Sequence, residues 1–179
     1  MKKRLTIMKT YNFTVGCKAL DSGRDSDEII DALYEAGCDD ALVVERMGSF
    51  VLEFDREAPS LARALISALN DIIKAGLSPI RIGPDPLVSA ADIAERSGLT
   101  RQAVSLYVSH QRGEDFPCPV FRFETNSPLW RWVDVASWPA IRKKLDYNEP
   151  QLARCVERAN NVIVPVFIQR AEKDNQTRH

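Results

Sequence analysis

The chain has 179 residues, a net formal charge of −1, and is 45% hydrophobic and 27% charged. That is ordinary globular composition for one large domain or two small ones, and it excludes bulk disorder and collagen-like or mucin-like stalks. No apolar run approaches the ~20 residues of a membrane span, and no apolar stretch follows the basic start Met1-Lys-Lys-Arg-Leu-Thr-Ile as it would in a secretory signal.

Cys17, Cys38, Cys118 and Cys155 are scattered, with no C-x-x-C spacing. This predicts a reducing, cytoplasmic setting rather than a disulfide framework or zinc site. His110 and His179 are too few and too badly placed for a metal cluster. Charge is uneven along the chain: residues 1–86 hold 11 basic and 14 acidic side chains, and residues 87–145 hold 8 and 6. A nonspecific polyanion binder would carry a far larger basic excess.

The first eighty residues predict β-α-β-β-α-β. Tyr11, Phe13, Val15 and Cys17 alternate as in a half-buried strand. Asp25-Ser-Asp-Glu is a cap and acidic first turn for a helix carrying Ile29, Ile30, Leu33 and Tyr34, which Gly37 ends. Ala41-Leu-Val-Val and Val51-Leu-Glu-Phe flank the hairpin signal Met47-Gly-Ser. Ser60 opens a second helix with the stripe Leu61, Leu65, Leu69 and Ile72, widened by Ala64 and Ala68 and ended by Gly76. Ile80 and Ile82 alternate in a last strand. The pattern predicts an α+β, ferredoxin-like sandwich over residues 1–86, with both helices on one face of a four-stranded antiparallel sheet. Asp39-Asp40 reads as a solvated turn, not an acid/base pair. Such a module suits dimerisation, or sensing of a small-molecule or protein effector. Pro84 and Pro86 punctuate the chain there.

Residues 87–112 predict a helix-turn-helix. Ser89 and Asp92 have capping-box spacing, Ile93 and Ala94 face the core, and Gly98 allows a left-handed turn. Leu99 tucks between the helices, Thr100 caps the second, and Val104 and Tyr107 point inward. Thr100, Arg101, Gln102, Ser105 and Ser109 are left facing outward. Arginine can grip guanine edges and glutamine adenine edges in a major groove.

The stretch that follows contains Arg112-Gly, then Phe-Pro-Cys-Pro-Val, a short hairpin, Trp130-Arg-Trp and a helix with Asp134-Val-x-x-Trp. As a whole, Leu87 to Lys144 resembles the AlpA/excisionase-type, short MerR-like winged helix-turn-helix regulators of bacteria and phages. The resemblance implies that the hairpin is a wing beside phosphates, with Arg122 and Arg131 as contacts. It also implies that Phe116, Val120, Trp130 and Val135 set the wing's angle. Arg112 joins the expected DNA-binding set. Two features depart from the family pattern: Glu114-Asp115 brings negative charge to that side, and Pro139 cuts the closing helix. Trp130, Trp132 and Trp138 read as core packing rather than base-stacking platforms.

Residues 146–179 predict a helical tail in which Pro150 opens the helix, Leu152, Val156, Ala159 and Ile163 make a stripe, and Pro165 interrupts it. The tail either packs back or mates with a second copy. The reading is therefore a winged helix-turn-helix domain over 87–145 that binds double-stranded DNA and regulates transcription as a homodimer. No catalytic residue, metal or cofactor is expected, and no membrane partner. The alternative is an antitoxin or phage-defence component that neutralises a protein partner.

Overall fold

The computed structural model describes residues 7–21, 23–146 and 149–178. It mixes helix and sheet, an α+β protein. Two compact units divide the chain: Met1–Pro84 together with Arg158–His179, and Asp85–Glu157.

The first unit opens with β1 (Lys9–Ala19), α1 (Ser26–Ala36), β2 (Ala41–Arg46), β3 (Ser49–Ala58), α2 (Leu61–Lys74) and β4 (Leu77–Gly83). The strands pair antiparallel in the order β2-β3-β1-β4. Alternation buries Phe13, Val15 and Cys17 of β1 against Phe50, Leu52 and Phe54 of β3. The register sets Phe13 opposite Phe54, with their rings stacked at 5.1 Å. Both helices begin at side-chain caps: Asp25 with Glu28 in a full capping box, and Ser60 on Arg63 N–H. α2 buries Ala64, Leu65, Ala68, Leu69 and Ile72.

Three features of this unit differ from the sequence expectation. Ile80 is not on the core face with Ile82: the β1–β4 register steps from Gly16↔Arg81 to Cys17↔Pro79, so Ile80 is the extra residue of a bulge and is 47% exposed. On α1, Ile29 and Leu33 are buried, but Ile30 and Tyr34 lie on an exposed flank. Asp40 is not a solvated turn residue. Its carboxylate takes two hydrogen bonds, both 2.8 Å, from Nε and Nη2 of the buried Arg56. Arg56 spends its other donors on Asp71, Ser67 and the Gly37 carbonyl, and its guanidinium lies 4.8 Å from the Phe54 ring centroid. All five N–H groups of the fork are satisfied, which is the condition for burying it.

The second unit contains β5 (Leu87–Val88), α3 (Ala90–Ser97), α4 (Arg101–Val108), β6 (Trp130–Arg131), α5 (Trp132–Ser137), α6 (Pro139–Arg142) and α7 (Glu149–Arg158), which leaves the unit at its last residue. β5 and β6 pair antiparallel, and a separate isolated bridge joins Phe121 to Leu129. The core joins Ile93, Val104, Tyr107, Phe116, Trp130 and Trp138, with Ala153 of α7. Tyr107, Phe116 and Trp138 pack edge-to-face and stacked at 4.9–6.3 Å. Each indole N–H has an acceptor: Pro117 O for Trp130, Glu149 Oε1 for Trp132 and Glu114 O for Trp138. All three tryptophans are therefore core residues. Pro139 stands at the first position of α6, so the closing helix is broken into two. Val120, expected in this core, is 44% exposed.

Residues 146–179, expected as a separate tail, are divided between the units at Arg158. Beyond it a π-helical turn, Ala159–Ile163, leads into α8 (Val164–Arg178), which packs on β4 and α2 of the first unit. The helix runs through Pro165 rather than stopping there. The π turn just before it changes the hydrogen-bond register where proline offers no N–H and its ring crowds the preceding turn. Asn160 in that turn accepts from Ile82 N–H and donates to Ile82 O, both at 2.8 Å. Among the described residues no helix is long and apolar enough to cross a membrane.

Candidate nucleic-acid interface

The candidate site is built on α3, the turn after it, and α4. Ser89 Oγ accepts from Asp92 N–H, and Asp92 Oδ2 accepts from Ser89 N–H, a complete capping box. These bonds hold the Asp92 carboxyl below its ordinary range. α3 ends at Gly98, whose φ of 65° turns the chain left-handed, a conformation that glycine adopts without the steric cost of a side chain. Two residues later Thr100 Oγ1 accepts from Ala103 N–H at 3.1 Å and starts α4. Ile93, Ala94, Val104 and Tyr107 are buried between and beneath the two helices, and Leu99 is half-buried beside them.

That packing leaves the opposite side of α4 in water. Arg101, Gln102, Ser105 and Ser109 are all exposed. At 3.6 residues per turn they fall within an arc of about 100°, so four of the predicted residues share one face. Thr100 is exposed too, but its hydroxyl is committed to the cap. Ser109 Oγ reaches the Leu106 carbonyl at 3.4 Å. Arg112 follows the helix, with its guanidinium 5.6 Å from the centroid of the Tyr107 ring. Gly113, next in the chain, has φ 79°, and a Cβ there would sit 2.8 Å from the Trp138 ring, so no larger residue fits.

The hairpin is anchored by Val120 and Phe121 N–H donating to Leu129 O, with Leu129 N–H returned to Phe121 O at 2.8 Å. Its tip turns at Arg122, whose φ is 53° and whose carbonyl accepts from Thr125 N–H and Oγ1. Arg122 is exposed, flanked by Phe121 at 55% and Phe123 at 67% exposure. Sequence reasoning passed over these two rings; the Phe-Arg-Phe run beside a turn was the available signal.

Arg131 is placed differently from the other seven predicted residues. Its Nε and Nη2 donate to the two carboxylate oxygens of Glu157 at 2.8 and 2.7 Å, and Nη1 reaches Asp134 at 3.3 Å. The hydrogen bond from Arg131 holds the Glu157 carboxyl down and raises the arginine's own pKa. Its charge is spent inside the unit, fastening β6 to α7. Lys143 and Lys144, exposed just beyond α6, are basic residues that the sequence reading did not nominate. Glu114, Asp115 and Glu124 are exposed along the same run of chain. Among the described residues no three His, Cys, Asp or Glu side chains converge as metal ligands. No family model, curated protein or solved structure matches the chain.

Proposed function

We propose that this chain is a sequence-specific double-stranded DNA-binding regulator of transcription. Its second unit would act as a winged helix-turn-helix, and the β2-β3-β1-β4 unit as a ferredoxin-like assembly module. The observation that carries the reading is the pair α3 and α4: a doubly capped first helix, a left-handed glycine turn, and a second helix whose free face is Arg101, Gln102, Ser105 and Ser109. Small serines let such a helix approach a groove, while arginine and glutamine supply bidentate donors and acceptors for base edges. Arg122 at the hairpin tip has the exposure and charge of a phosphate contact. One short helix reads few bases, so paired half-sites and a homodimer belong to the proposal. The expected compartment is the cytoplasm.

The deciding experiment is selection of bound duplexes from a random pool with the full chain, followed by titration of the enriched site against a scrambled one. Enrichment of a paired motif, bound about a thousandfold or more above scrambled duplex, supports the reading. Equal affinity for both duplexes, or none, removes it.

A further inference from the structure

We propose that the outer edge of β2 is a dimerisation surface that pairs antiparallel with β2 of a second copy, about a two-fold axis at Val44. This rests on the dimeric part of the reading above and names the surface responsible. The sheet has two edge strands, and the chain treats them differently. The β4 edge is closed from within: the Asn160 amide bonds both backbone groups of Ile82, and α8 packs along the strand. Among the described residues no strand pairs with the outer side of β2. That strand reads Ala41-Leu-Val-Val-Glu-Arg46, with no proline or lysine, and its ladder with β3 is unbroken from Ala41↔Phe54 to Arg46↔Ser49. Proline, lysine and a bulge, three devices that keep an edge from pairing, are missing, and the charges of the strand stand only at its end, on Glu45 and Arg46.

The backbone fixes how a second copy fits. Asp55 N–H donates to Asp40 O, so by antiparallel alternation Leu42 and Val44 turn their N–H and C=O toward β3. Val43 and Glu45 turn theirs outward. A two-fold pairing that keeps each face on its own side must centre on a residue, not between two. Centring on Val43 would need the Ala41 N–H, which is given to Cys38 O at 3.2 Å. Centring on Val44 pairs Val43 with Glu45 of the second copy, twice, and uses the N–H and C=O of both residues on each strand.

Exposed apolar side chains stand beside this edge on both layers. On the open sheet face Leu42 is 63% and Val44 40% exposed. On the helix layer Ser26, Ile30 and Tyr34 share one flank of α1 by four-residue spacing. Ser26 Oγ donates to Glu45 Oε2 at 2.6 Å, which sets that flank over β2. Ile30 is 40% and Tyr34 68% exposed there. A second copy covers both layers at once: Val44 meets Val44 below, and the two α1 flanks meet above. It also sets Arg46 of the second copy beside Leu42, whose other neighbour is the acidic Glu53. That charge match favours a second copy over an unrelated strand.

The test uses the full chain. With Cys118→Ser and Cys155→Ser to remove the exposed thiols, Val44→Cys oxidised by glutathione disulfide is expected to give a covalent dimer on a non-reducing gel. Leu42→Cys, set opposite Arg46, is expected to stay largely monomeric. Val44→Lys sits at an exposed position, so folding checked by circular dichroism is retained, and the monomer–dimer midpoint by light scattering rises about tenfold. A wild-type chain that scatters as a monomer overturns the proposal. So does a dimer indifferent to Val44→Lys, or a Val44→Cys chain that does not cross-link. Binding to the enriched duplex is measured on the same samples. Binding that persists with any of those results leaves the DNA reading standing, and a β2-paired dimer that binds no duplex fails the DNA reading alone.

Discussion

The guanidinium of Arg131 lies against the carboxylate of Glu157 in a two-point contact of 2.8 and 2.7 Å. The pair spans 26 positions of chain and ties β6 to α7. An arginine engaged in this way is a poor phosphate ligand, because moving it onto DNA would strand Glu157, of whose side chain only 18% is accessible.

The two hairpin arginines are therefore expected to behave differently. Arg122→Ala weakens binding to every duplex and lowers the slope of log K against log salt by roughly one unit. Arg131→Ala keeps the wild-type slope and instead costs about 1 kcal/mol of stability, the upper end for a partly exposed pair. Salt titrations of both variants, with urea melts, check the division. Equal loss of slope in the two would contradict it.

The same pair predicts an acid-side dependence. Arg131 holds the Glu157 carboxyl below its ordinary value, and the bonds from Ser89 do the same for Asp92. Each carboxylate is thus more acidic folded than unfolded. Its stabilisation is complete above the unfolded carboxyl range and fades as pH falls through the lower, folded value. Urea midpoints between neutral pH and pH 3 are expected to fall less steeply in Glu157→Gln, which has already lost its share. Parallel curves for wild type and variant would rule this out.

On α4, Gln102→Ala is expected to cost about 1–3 kcal/mol on the enriched site and to relax one or two base pairs, with nonspecific affinity unchanged. Thr100→Ala acts by another route. It removes the cap on Ala103 N–H and costs about 1 kcal/mol of stability, with base preference retained. A base-preference profile for each variant, set beside its melting curve, separates reading from capping.

Local signals made much of this molecule legible in its sequence. Ser89 with Asp92, Gly98 and Thr100 act within three or four residues of themselves, so their spacing alone announced the caps and the turn. Period-two burial of Phe13, Val15 and Cys17 was legible for the same reason. Contacts closed across long stretches of chain were not. Arg56 meets Asp40 and Asp71 from 16 and 15 residues away, and nothing near Arg56 marks it as buried. The bulge at Ile80 depends on β1, far upstream, and Arg131 looked free because its acceptor lies on a helix that strand periodicity cannot see.

The Arg56 site carries its own prediction. The buried fork faces two carboxylates, so removing the charge of Asp71 leaves Asp40 to balance the guanidinium but weakens the 2.6 Å bond at Nη1. Asp71→Asn is expected to destabilise the first unit by about 1.5–3 kcal/mol, the range for a hydrogen bond to a charged group. Arg56→Lys falls in the same direction, because an ammonium cannot reproduce the five-donor geometry. Far-ultraviolet melts should show both losses, while the second unit's tryptophan emission at low denaturant stays that of wild type.

The boundary of the second unit gives the last prediction. A fragment of residues 87–145 holds the caps, the turn and the hairpin, yet lacks three things that the unit uses. Glu149 accepts from the Trp132 indole N–H at 3.0 Å, Ala153 fills the core, and Glu157 holds Arg131. Without α7 the Trp132 N–H loses its acceptor, and the core beside Ala153 opens to water. An unsatisfied buried donor costs about 1–3 kcal/mol, and the lost packing adds to it. That is a large part of what a domain this small has in reserve. Residues 85–157 are therefore expected to melt cooperatively, with tryptophan emission characteristic of buried indoles. Residues 87–145 are expected to show red-shifted emission and a broad, early transition. Indistinguishable melts of the two fragments would show that α7 is dispensable to the fold of its unit.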